Sequence, residues 1–151
     1  MKKNRIAAAM MGVMVVLGMS ANMWADRGTR LRASVNKRIN GFEAELRGDF
    51  REDHGAPDRL NSELEKINLP IGTKVAFCLV QGGTTTLLGV AQVQTEAGIS
   101  VAEFELETKD GDNVPNVNAG DVLQARQRTA APFQTAPTCT TNLLVSAPFS
   151  K

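Results

Sequence analysis

From Phe42 to Arg51 the chain alternates: Glu43, Glu45, Arg47, Asp49 and Arg51 fall on one side, and Phe42, Ala44, Leu46 and Phe50 on the other. A repeat of two is the geometry of an extended strand, whose successive side chains point to opposite faces of a sheet. A strand charged on one face and apolar on the other lies between a core and water. The pattern therefore calls for an antiparallel sheet with one wet face. Gly48 falls on the apolar side, where a missing side chain marks a bend or the close approach of another segment.

The same period recurs along the chain. Leu31, Ala33 and Val35 alternate with Arg32, Ser34 and Asn36, and Ala102, Phe104 and Leu106 alternate with Glu103, Glu105 and Glu107. That acidic stripe reads as a solvated sheet face. Leu143, Val145, Ala147 and Phe149 alternate near the end, where Pro148 confines the strand to an edge or Pro148 itself to the strand's terminus. Lys74 to Val80 is apolar on both sides, as in a strand covered on both faces. Leu87 to Val93 and Val122 to Arg128 supply further strands, with turn signals at Gln81-Gly82-Gly83-Thr84 and Ala97-Gly98. Residues 59–67 are read two ways. Leu60, Leu64 and Ile67 have the spacing of a short helix, whereas Leu60, Ser62 and Leu64 alternate as a strand. The expected fold is all-β: one antiparallel β-sandwich over residues 26–151, Ig-like or small barrel-like, of seven or eight strands.

The first residues have a different character. Met1-Lys2-Lys3-Asn4-Arg5 is basic, Ile6 to Met19 is uncharged and largely apolar, and Ser20 to Ala25 precede the first acid, Asp26. This is the layout of a secretory signal peptide, expected over residues 1–25 with cleavage after Ala25; the small pair Gly18 and Ser20 offers a second cut site. The apolar run is shorter than the ~20 residues that span a bilayer, so no membrane span is expected after cleavage. Removing the segment takes three of the 17 basic residues and none of the 16 acids, leaving a formal charge of −2. It also takes all six Met and the single Trp from a chain that has no Tyr. Sugar and single-stranded nucleic-acid sites are usually built on exposed aromatic rings, and nucleic-acid binders on basic charge, so nucleic acid is not an expected partner. An outer-membrane barrel is disfavoured by polar outer faces and the lack of a Trp/Tyr girdle. Cys78 and Cys139, an even count in a chain bound for the periplasm or cell exterior, are expected to form a structural disulfide.

Groups able to carry chemistry are few. His54, the only histidine, stands with Glu52, Asp53 and Asp58, a set that suits a divalent metal or a general base. One imidazole with carboxylates falls short of the usual ligand set of a hydrolytic zinc site, so an exposed loop tip is expected. Asp110, Asp112, Asn113, Asn116, Asn118 and Asp121 gather hard oxygen atoms suited to Ca²⁺. Val114 occupies a ligand position of the EF-hand pattern and the terminal Glu is missing, so turn chemistry is expected there and no cofactor. No serine lies in a Gly-x-Ser-x-Gly elbow, and Gly82-Gly83 lacks the rest of a phosphate loop. Arg27, Arg30, Arg32, Lys37 and Arg38 make the N-terminal end basic, suiting either an anionic envelope surface or a strand donated to a neighbouring subunit.

Leu69-Pro70-x-Gly72-Thr73, followed by Asp110-Gly111-Asp112-x-Val114-Pro115-x-Val117-x-x-Gly120-Asp121, resembles small exported bacterial all-β domains of uncharacterised function over residues 40–128. The resemblance implies an antiparallel β-sandwich and a strand before the L-P-x-G-T element, which tips residues 59–67 from helix toward strand, with a short helix there kept as the alternative. It brings no activity with it. The expected role is a non-catalytic binding or structural protein with an unknown envelope or extracellular partner. The alternatives are a metal-dependent hydrolase-like enzyme using His54 and its neighbouring acids, or a surface-fibre subunit.

Overall fold

The computed structural model describes residues 28–128 and 136–151; the expected signal peptide lies outside them. Among the described residues nine strands form: β1 (Thr29–Ile39), β2 (Phe42–Glu52), β3 (Arg59–Glu65), β4 (Lys74–Gln81), β5 (Thr84–Gln92), β6 (Gln94–Glu96), β7 (Ile99–Glu107), β8 (Val122–Gln127) and β9 (Asn142–Ser150). They join in one antiparallel sheet of order β5-β4-β8-β9-β1-β2-β3-β7-β6 that curls into a half-barrel. The all-β antiparallel expectation holds. The sandwich does not appear, because β1 and β9 pair through Arg32–Ser150 and Ala33–Phe149 and make the sheet continuous.

The strand count exceeds seven or eight because one run changes partner midway. β5 pairs with β4, β6 pairs with β7, and Val93 alone separates β5 from β6. At that joint the Val93 amide donates to the Thr73 carbonyl and the Gly72 amide donates to the Val93 carbonyl, each at 2.8 Å. The two ends of the strand order are thus one continuous piece of chain.

Residues 59–65 form a strand and no helix. Leu60, Ser62 and Leu64 point into the core, each facing an inward residue of β2: Phe50, Gly48 and Leu46. Pairing with β2 on one side and β7 on the other overrides the local helical spacing. Strand β9 is also not at an edge, since it lies between β8 and β1. The Phe149 amide donates to the Asp121 carbonyl at 2.8 Å, so the alternating backbone turns the nitrogen of Pro148 toward β1. That nitrogen has no hydrogen, and the pairing of β1 with β9 is confined to residues beyond it. Pro148 therefore coincides with the narrow corner of the sheet.

Turn chemistry sets the hairpins. Asn40 and Gly41, at φ 50° and 88°, link β1 to β2, and Gly82-Gly83 and Ala97-Gly98 make equivalent two-residue turns. Two consecutive residues at positive φ match the right-handed twist of the flanking strands. The core is filled from every strand except the short β6, with Phe50, Phe77, Phe149, Leu46, Leu64 and Leu123 among its largest members. Gly48 lies against Phe149 and Leu123, the close approach that its place in the pattern implied. Cys78 faces outward from β4 and is nevertheless fully buried, bonded to Cys139 with the two Cα atoms 5.9 Å apart. The segment around Cys139 is tied over the outer face of β4, which accounts for a strand apolar on both sides.

Candidate ligand-binding face

Outward residues of β1, β2, β3 and β7 stand in register and compose rows across the sheet. One row reads Arg30, Arg51, Arg59, Glu107; the next reads Arg32, Asp49, Asn61, Glu105; the third reads Ser34, Arg47, Glu63, Glu103. Neighbouring strands are ~4.8 Å apart, so the three arginine Cα atoms of the first row span about 10 Å. At Ala33 and Gly48, which pair with each other, a depression of about 430 Å³ opens on this wet face. Its wall includes Arg32, Arg47, Arg51, Arg59, Ser34 and Asn61, with Asp49 and Glu63 among them. Small inward residues let the opposite wall press close behind the floor: Phe149 and Leu123 touch the space where a Gly48 side chain would be.

Asp49 is the hub of the cationic end. Its carboxylate accepts from Arg30 Nη2 at 2.6 Å and from Arg51 Nε at 3.0 Å, and Arg32 Nε stands at 3.6 Å. Partial burial opposes its ionisation, yet the bonds from Arg30 and Arg51 outweigh that and hold the carboxyl below its ordinary range. Arg59 turns diagonally to Glu105 at 2.8 Å, and Asn61 donates diagonally to Glu103 at 2.8 Å.

The diagonal pairing stops at Glu63, because the corresponding position on β7 is the buried Val101. Arg47, directly opposite on β2, bonds Glu45 at 2.7 Å and approaches Glu65 at 3.6 Å. Burial first, then Glu65 through a hydrogen bond and its charge, then Glu103, raise the Glu63 carboxyl to about 7 against the pull of Arg47. The hydrogen bond from Arg47, with help from Lys66, moves Glu45 the other way, below its ordinary range.

Of the basic residues singled out near the N-terminal end, Arg30 and Arg32 stand on this face, whereas the metal and acid–base candidates lie elsewhere. His54 is in the exposed turn between β2 and β3, with Glu52 ending β2, Asp53 beside it and Asp58 beyond, where the Asp58 amide donates to Thr108 Oγ1 at 2.9 Å. In the long loop, Asp112 Oδ2 accepts the Glu107 amide at 3.0 Å. Asp121 Oδ2 accepts the Asn118 amide at 2.7 Å and Gln81 Nε2 at 2.6 Å, while Gln81 Nε2 also reaches the Asn116 carbonyl. Asp110 ends a 3-10 turn over Thr108–Asp110, and Asn113 is exposed. Two of the loop's carboxylates are thus occupied in holding turns, and Val117 is buried beneath the loop. Among the described residues no three His, Cys, Asp or Glu side chains converge on a common point. Also among the described residues, no helix is long and apolar enough to cross a membrane.

The arginine-lined depression was not legible beforehand. Arg32, Arg47, Arg51 and Arg59 come from three strands, and only the register brings them together. No family model, curated protein or solved structure matches this chain.

Proposed function

We propose that this is an exported, non-catalytic binding protein of the periplasm or cell exterior, with its ligand seated in the depression over Ala33 and Gly48. The observation that carries the reading is the row of Arg30, Arg51 and Arg59 directly opposite one another on adjacent strands. Like charges so placed oppose sheet formation, and a local arrangement that costs stability is expected where function requires it. The disulfide favours an oxidising location. A rigid sheet supports the depression from beneath, so the side chains around it are held in fixed register before any ligand arrives.

The test is a thermal-shift screen of small molecules on the exported protein and on Ser34→Trp, which fills the depression from an exposed position. A ligand that stabilises the wild type and not the variant is the expected result. Equal stabilisation of both would place the seat elsewhere. Intact-mass analysis of the exported fraction checks the location, because a chain still carrying residues 1–25 would remove the basis for export.

A further inference from the structure

The cationic end of the depression has more positive charge than its own carboxylates balance. Asp49 is one anion among Arg30, Arg32 and Arg51, which leaves this corner with an excess of two positive charges. Each guanidinium has five N–H donors, and the hydrogen bonds to Asp49 use one nitrogen of Arg30 and one of Arg51. Arg32 approaches Asp49 at a distance beyond hydrogen-bond length, and its side chain is 66% exposed. At the other end Glu65 and Glu103 flank the partly protonated Glu63 and, with Arg47 as the lining cation there, set a negative boundary, while Ser34 and Asn61 between the ends carry neutral hydrogen-bonding groups.

Resting on the reading of the depression as a ligand seat, we propose that the ligand presents a single phosphate or sulfate group to Arg32, Arg51 and Arg59. The oxyanion competes with Asp49 for Arg32 and Arg51, and with Glu105 for Arg59. Forked N–H donors match such a group bidentately, and an excess of two charges favours a dianion over a carboxylate. The acidic end repels a second anionic group, so the remainder of the ligand that lies along Ser34 and Asn61 is neutral or cationic.

The experiment titrates the full exported protein with inorganic phosphate and with sulfate, using acetate at matched ionic strength as control, and follows the arginine Nε–H signals by NMR. Saturable shifts of Arg32 and Arg51 with phosphate and sulfate, and none with acetate, are expected. Asp49→Asn removes the internal competitor and should tighten phosphate binding by about tenfold, while Arg51→Gln should weaken it by a similar factor. Arg32→Gln, at the most exposed of the three positions, provides the same weakening if Asp49→Asn fails to fold. Acetate acting like phosphate, or weaker binding by folded Asp49→Asn, would overturn the assignment. Flotation with phosphatidylglycerol vesicles, and not with phosphatidylcholine, would assign the oxyanion to a lipid headgroup; phosphate binding without flotation would assign it to a soluble ligand. If Ser34→Trp blocks a ligand that has no oxyanion, the seat stands and only the oxyanion assignment fails.

Discussion

Replacing Glu63 by Gln tests the electrostatics of the wet face at its most exposed contradiction. In the folded chain this carboxyl titrates at about 7, against 4.5 as its reference. Carried in full, that difference would amount to about 3.4 kcal/mol at high pH. Solvent reaches the side chain and screens it, so we expect about 1 kcal/mol. The sign follows from proton linkage. Between 4.5 and about 7 the folded state holds a proton that the unfolded state has lost. Stability therefore falls as pH rises through this window, and the favourable contribution is complete below the unfolded value. Gln keeps the shape and has no charge to lose. Urea unfolding of both proteins, followed by far-UV circular dichroism, should give Gln an advantage of about 1 kcal/mol near pH 8 that disappears toward pH 4.5. Asp49 and Glu45 are shifted downward, so their stabilisation is lost only on the acid side, as pH falls through their folded values, and is common to both proteins. A difference that stays constant with pH, or a Gln protein weaker at high pH, would refute the account of Glu63.

Three further outcomes follow from the packing. Cys139→Ala opens a covalent loop of 61 residues and should lower stability by ~4 kcal/mol, measured by denaturant unfolding, with the strands retained in the circular dichroism spectrum. Ser62 Oγ is buried without a hydrogen-bond partner, so Ser62→Ala should raise the unfolding free energy by about 1 kcal/mol; destabilisation would reveal a partner for the hydroxyl. Asp121→Ala removes the acceptor for Asn118 and Gln81 and should cost about 1–3 kcal/mol, with the thermal melt of each protein the same in calcium and in EDTA. A calcium-dependent rise that Asp121→Ala abolishes would return the loop to consideration as a metal site.

How far the sequence could be read depended on whether a residue's neighbours in the chain also decided its surroundings. Ala44 to Arg51 was legible because burial and exposure follow its own alternation, down to Gly48 beneath Phe149, whereas Phe42 at the hairpin end of the same apolar side is exposed. Residues 59–65 were ambiguous for one physical reason: Ser62 holds an inward position that an apolar residue would have marked. With a polar residue at the middle of the inward face, Leu60, Leu64 and Ile67 were left at helical spacing. Pairing with β2 and β7 decides for the strand. The place of β9 was hidden because Pro148 weighs against an interior strand, and only the direction of its nitrogen explains how one is tolerated. At the depression, Arg47 and Arg51 were visible as one face of a strand, but their neighbours Arg32 and Arg59 depend on a pairing register that no single segment encodes.

The position of β9 bears on when the fold can close. Its partners are β8 on one side and β1 on the other, so residues at opposite ends of the described chain, Ala33 and Phe149, must meet for the sheet to be continuous. Until then β5, β4 and β8 can assemble apart from β1, β2, β3, β7 and β6, joined through the chain at residues 66–73, at Val93 and in the loop before β8. Pairings between distant parts of a chain incur their loop-closure entropy before they return any contact energy, and they are slow to form. Because β9 is an interior strand, a growing chain holds two unjoined parts of the sheet until residues 142–150 have been made. Joining the two parts of the sheet therefore follows the synthesis of β9.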